Sequence, residues 1–159
     1  FSAILDVDDS VFSTIGEMPS KIAERCVTSG QVAPHSKNEI VRTSLEGLAL
    51  KYREVLENLR RKTGRSLDQL HIVGGGTQNE LLNQMTADST GCEVLAGPIE
   101  ATGVGNVVVQ MIAAGELSSL ADARQLIANS FEPKRYEPKQ TTQWNEAYGR
   151  MLEIREKTF

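Results

Sequence analysis

Leu70-His71-Ile72-Val73-Gly74-Gly75-Gly76-Thr77-Gln78-Asn79-Glu80-Leu81-Leu82-Asn83 decides how the rest of the chain is read. Its apolar, β-branched opening predicts a buried strand, its glycines a tight turn, and the residues after them a helix start. Residues without a Cβ let a ligand lie directly against the backbone and permit positive φ where the turn needs it. The N–H groups that open the following helix are unpaired and carry partial positive charge, which suits phosphates or a polar ring system. One glycine would suit a plain strand-to-helix turn; three in a row predict a nucleotide or sugar site.

What is missing narrows the site. A P-loop ends in Gly-Lys-Ser/Thr, because the Lys reaches the outer phosphates and the hydroxyl holds Mg²⁺. Here the glycines run into Thr77-Gln78-Asn79, so that motif is excluded. The dinucleotide fingerprint G-x-G-x-x-G fits Gly74 and Gly76 but meets Asn79 where its third glycine belongs. Its acidic partner, about 20 residues on, falls at Glu93, which opens a strand where the fingerprint needs a strand's end. An NAD-binding oxidoreductase domain is therefore the alternative reading.

Downstream, Glu80 to Thr90 predicts a helix with Leu81, Leu82 and Met85 inward and Gly91 at its end. Glu93-Val94-Leu95-Ala96 predicts a second strand, closed by Gly97-Pro98. Strand, helix and strand favour parallel pairing with a right-handed crossover. Ligands gather at the carboxyl ends of such strands, which puts Gly74–Asn79 and Gly97–Glu100 on one edge. Ala101 to Ala114 is apolar nearly all round and predicts a buried helix. Gly103 and Gly105 within it each cost about 1 kcal/mol of helix propensity, so a close helix or ligand contact is expected there, plain packing ahead of a ligand. A further amphipathic helix is expected over Ser119 to Ser130, with Leu120, Ala123, Leu126 and Ile127 inward. Phe131 to Pro138 reads as an extended crossing segment, and a last helix, about 141–156, carries Trp144, Tyr148 and Met151 on one face. That face is expected to dock, in part towards a further domain.

Upstream, Phe1 to Phe12 reads as a loop whose Asp6, Asp8 and Asp9 lack the glycine offset and distal Glu of a Ca²⁺ loop, hence a solvated turn. Pro19 starts a short helix with Ile22, Ala23, Cys26 and Val27 inward, ended by Gly30. Ser36-x-x-Glu39 is a capping box. It opens a helix over residues 37–63, roughly 40 Å long at 1.5 Å per residue. The stripe Val41, Leu45, Leu48, Tyr52, Val55 and Leu59, broadened by Ile40, Ala49 and Leu56, predicts burial against a sheet rather than a coiled coil.

The 159 residues, 40% hydrophobic with a formal charge of −4, suffice for one domain with its own core. The only basic run, Arg60-Arg61-Lys62, sits where it offsets a helix dipole, so no nucleic-acid partner is expected. Cys26 and Cys92 lie far apart, as suits a reducing cytoplasm, and His35 and His71 stand alone, so no metal site is expected. The longest apolar stretch is too short to span a membrane, and no signal peptide is read. An opening at Phe1 rather than Met leads us to expect part of a longer protein.

The stretch His71 to Asp88 closely resembles the adenosine-binding segment of the FGGY carbohydrate kinases. Gly97-Pro98-Ile99-Glu100-Ala101-Thr102-Gly103-Val104-Gly105-Asn106 looks like the helix that follows it in that family. Glu39-Ile40-Val41-Arg42, Leu45 to Tyr52, Phe131-Glu132-Pro133 and Tyr136-Glu137-Pro138 fit it too. Gln78 to Gln84 is similar to the members that act on L-rhamnulose rather than to its glycerol or xylulose kinases. The resemblance implies an α/β fold: a partial ribonuclease-H-like (actin-like ATPase) domain, helix-rich with a short parallel strand pair. Residues 1–159 would be the C-terminal kinase domain without its opening strands. It further implies ATP and Mg²⁺ as cofactors, with Gly74, Gly75, Gly76 and Gln78 along adenosine and Asn79 at the adenine edge. The catalytic aspartate, the sugar pocket and most magnesium contacts would lie outside this stretch, in part in the chain's own N-terminal domain. A non-catalytic actin-like nucleotide-binding module is the other reading left open.

Overall fold

The computed structural model describes residues 1–156. Six helices and three strands follow one another as α1 (Met18–Thr28), α2 (Lys37–Thr63), β1 (Gln69–Ile72), α3 (Glu80–Thr90), β2 (Glu93–Ala96), α4 (Ala101–Ala113), α5 (Leu120–Ser130), β3 (Lys134–Tyr136) and α6 (Thr141–Glu156). The capping box forms as expected: Ser36 Oγ accepts from the N–H of Glu39, and the Glu39 carboxylate accepts from the N–H of Ser36. Gly64 closes α2 in the left-handed conformation, at φ +65°.

β1 and β2 pair in parallel, Gln69 opposite Glu93 and Ile72 opposite Ala96. Part of the expected crossing segment adds to this pair as β3, antiparallel to β2, with Val94 opposite Tyr136. The order β1-β2-β3 leaves the outer side of β1 as a sheet edge. Because side chains alternate across a strand, Leu70, Ile72, Val94, Ala96 and Tyr136 share one face. They pack there with Ala87 of α3.

α3 is the hub. α2 packs on it along much of its length, and α6 reaches both helices. Between them lie Ile4, Ala49, Leu50, Met85, Trp144, Ala147 and Met151, all 3% exposed or less, with Phe1 set edge-on against Trp144. The Trp144 and Met151 face of α6 is thus filled by this unit's own core. A second cluster joins Ala3, Leu5, Ile22 and Cys26. Gly47 permits it, since a Cβ there would come within 2.7 Å of the Leu5 carbonyl oxygen.

Several expected faces are corrected. On α2 the buried positions are Thr43, Glu46, Gly47, Ala49, Leu50 and Leu56, whereas Val41, Tyr52, Val55 and Leu59 are exposed. The helix packs on α3 rather than on the sheet, which rotates the expected stripe outward. Tyr52, Val55 and Leu59 instead line a groove of about 340 Å³ with Leu70 and Ile72 of β1. Val27, Leu81, Leu120 and Leu126 also face outward. α4, expected to be buried, buries only Val108, since α5 is its main neighbour. The acidic cluster is no freely solvated turn: Asp9 pairs with Arg25, Asp8 with Lys51 and Asp6 with Arg155, tying the first segment to α1, α2 and α6. Cys26 and Cys92 are both free and buried, and burial pushes the Cys26 thiol up. No helix among the described residues is long and apolar enough to cross a membrane.

Candidate functional site

The glycines emerge from the carboxyl end of β1 and wind into a 3-10 turn, Gly74–Gln78, ahead of α3. Only Gly74 needs positive φ, at +78°. Its N–H donates to the Pro98 carbonyl at 3.0 Å, and the Gly97 N–H donates to the Ile72 carbonyl at 2.9 Å. The loops after the two parallel strands are therefore laced together, on the single edge expected from the sequence.

Thr77 Oγ1 donates to the Gly74 carbonyl at 2.7 Å, and the Asn79 N–H to the Gly76 carbonyl at 3.2 Å. Asn79 also caps α3, its Oδ1 accepting from the Leu82 N–H at 3.0 Å. From one turn inside α3, Asn83 Nδ2 reaches back to the Thr77 carbonyl at 2.9 Å.

Gly75 and Gly76 answer to neither backbone nor packing. Both have ordinary φ. A Cβ on Gly75 would meet nothing within 4 Å, and one on Gly76 only Ile72 Cγ2 at 3.7 Å, an ordinary contact. What the two glycines achieve is a stretch of bare main chain at the strands' carboxyl edge, where a flat ring can approach closely. The residues present thus fit a nucleoside. None of Gly74 to Asn79 is ionisable. Beside them, Glu80 in the first turn of α3 is bridged by Lys134 at 2.5 Å, and that hydrogen bond pushes the Lys134 ammonium up. Hydrogen bonds from Gln69 and Arg135 hold the Glu93 carboxyl below its usual range.

Gly97–Glu100 leads into α4, whose glycines were expected to allow close packing. A Cβ on Gly103 or Gly105 meets nothing within 4 Å, so no such packing occurs among the described residues. Two features have roles that the sequence reading did not single out. Asn83 is one. The other is the pair Gln84 and Asp88, which holds the segment ahead of α6: Gln84 Nε2 donates to the Glu137 carbonyl, and Asp88 Oδ1 accepts from the Lys139 N–H at 2.7 Å. Their i, i+4 spacing on one helix face could have suggested a shared task.

Residues 6–114 match the model of the FGGY family of carbohydrate kinases, C-terminal domain. The chain belongs to this family. Relatives named rhamnulokinase include the protein of Bacteroides thetaiotaomicron, 45% identical over 93% of this chain, and that of Bacillus subtilis, 38% identical over 87%. The matched stretches make up 30% and 29% of those relatives' own lengths. Among solved structures, a gluconate kinase from Lactobacillus acidophilus superposes with a TM-score of 0.63 at 17% identity, over 77% of this chain and 25% of that one. A xylulose kinase from Rhodospirillum rubrum gives 0.59 at 21% identity, over 79% and 25%. The α/β fold, helix-rich with one parallel strand pair, is therefore the actin-like fold of the FGGY sugar kinases.

Proposed function

We propose that this chain is the adenosine-binding part of a cytoplasmic, ATP-dependent sugar kinase that phosphorylates the 1-hydroxyl of L-rhamnulose. The observation that carries the reading is Gly75: no backbone or packing demand among the described residues explains a glycine whose missing Cβ opens onto empty space. Its setting, on the carboxyl edge of a parallel pair, is where α/β sheets bind ligands. The rhamnulokinase name of the relatives supports the choice of sugar. In this reading Gly74, Gly75, Gly76 and Gln78 line the adenosine. Asn79, with Oδ1 engaged in capping α3, offers its Nδ2 to a ring nitrogen of adenine. ATP supplies the phosphoryl group, and this chain orients the adenosine end. The base, the sugar pocket and most Mg²⁺ contacts lie elsewhere in the full protein, so these 159 residues alone would not phosphorylate sugar.

The same reading extends to domain organisation. We place further strands of the same chain, from ahead of Phe1, on the open edge of β1, beside the apolar groove of Tyr52, Val55 and Leu59. The N-terminal domain then closes over the glycine turn, with the outer side of α6 available to it.

The test is ADP release by the full-length protein with L-rhamnulose, D-xylulose and glycerol, alongside NAD reduction as a control. ATP-dependent turnover greatest with L-rhamnulose is expected. Gly75→Val, which the fold accommodates in open space, is expected to raise the KM for ATP at least about tenfold, some 1.4 kcal/mol of binding. NAD-dependent oxidation, or nucleotide binding without transfer to any sugar, would overturn the kinase reading.

A further inference from the structure

Glycine has the least restrained backbone of any residue, so Gly74-Gly75-Gly76 cannot hold one conformation unaided. Thr77 closes the turn from within through the Gly74 carbonyl. The only side-chain hydrogen bond to the turn from the body of α3 comes from Asn83, which is fully buried. The Thr77 carbonyl can only accept, so the Asn83 carboxamide must present Nδ2 to it. That orientation leaves Asn83 Oδ1 with no partner among the described residues. A buried acceptor without a donor is costly, and an apolar side chain of similar shape would avoid the cost. Packing alone therefore does not call for asparagine at this position, whereas fixing the turn does.

We propose that Asn83 is a positioning residue for the nucleotide site. It never touches the ligand; it pins the 3-10 turn from beneath through the Thr77 carbonyl, so that the bare backbone of Gly75 and Gly76 is preformed when adenosine arrives. Ordering the loop in advance removes that cost from binding. The inference rests on the adenosine reading above and adds a residue to it.

The test uses the full-length protein with Asn83→Asp, which keeps the size and Oδ1 but, once ionised, cannot donate, and Asn83→Leu, which fills the space without polar atoms. Both are expected to raise the KM for ATP roughly tenfold, or 1.4 kcal/mol, with kcat and the sugar KM within about twofold. Without nucleotide, hydrogen exchange at the Gly75 to Gln78 amides should quicken. Thr77→Val should act in the same direction and Thr77→Ser should not, since it keeps the hydroxyl. Faster exchange with an unchanged KM for ATP would overturn the proposal. So would ATP and sugar KM rising together with a lowered Tm, the mark of a merely structural residue. A wild-type protein that does not use ATP would overturn this inference and the function together; normal wild-type turnover with unaffected variants would overturn this inference alone.

Discussion

The two sides of this molecule are finished to different degrees. Where α2, α3 and α6 meet, Ala49 and Leu50 are wholly buried and Trp144 is 3% exposed. Around β1 and α4, Val55, Val107 and Val109 lie about half exposed or more, although their residue types are as apolar as those of the core. α2 belongs to both sides: Ala49 and Leu50 sit in the core with α3 and α6, and Tyr52, Val55, Leu56 and Leu59 line the groove beside β1. An apolar stripe tells that a surface wants cover, and not which element supplies it.

The contrast can be broken most forcefully at its finished end. Trp144→Ala should lower the unfolding free energy of the chain by about 3–5 kcal/mol in denaturant titration. A loss under about 1 kcal/mol, ordinary for surface substitutions, would mean that α6 is not part of the core. The open side is sharpened by measuring Val55→Ser and Val107→Ser twice. In the 159-residue chain each should shift stability by no more than about 0.5 kcal/mol. If that side is covered in the full-length protein, each should cost about 1.5–3 kcal/mol there. Small effects in both would make that side plain surface.

The smallest effect concerns Glu54, which pairs with Lys51 of its own helix and Arg155 of α6. Burial of Glu54 opposes its ionisation, but hydrogen bonds from Lys51 and Arg155, with their charges, outweigh it and hold the carboxyl below its usual range. Its folded pKa is thus the lower one. The stabilisation is complete above the unfolded value of about 4.3 and is lost as pH falls through the folded value. Tm against pH should bend downward below about pH 4.3, and Glu54→Gln should flatten that limb. An unchanged acid limb in the variant would remove Glu54 from the account.

What was legible in the sequence is what local chemistry determines. The bounds of α2 follow from Ser36, Glu39 and Gly64 and the end of α3 from Gly91, each of which acts on its own few residues of backbone. The meeting of the two loops at Gly74 and Pro98 follows from the strand–helix–strand order. Which way α2 turns was not legible, because both of its faces are apolar and only the tertiary arrangement ranks them. The exposure of α4 was hidden for the same reason: composition reports a demand for burial, not its fulfilment. Within the site, the glycines announced themselves, but Asn83 looked like any polar residue on a helix, since its task depends on a contact back to Thr77.

The turn from Gly74 to Asn79 is built of main chain, one hydroxyl and neutral amides. No proton can come or go there between acid and alkali, and no counter-ion is needed to keep it assembled. A cradle of this kind discriminates by contour. On the adenosine reading proposed above, its grip on a flat, uncharged ring should therefore be indifferent to salt.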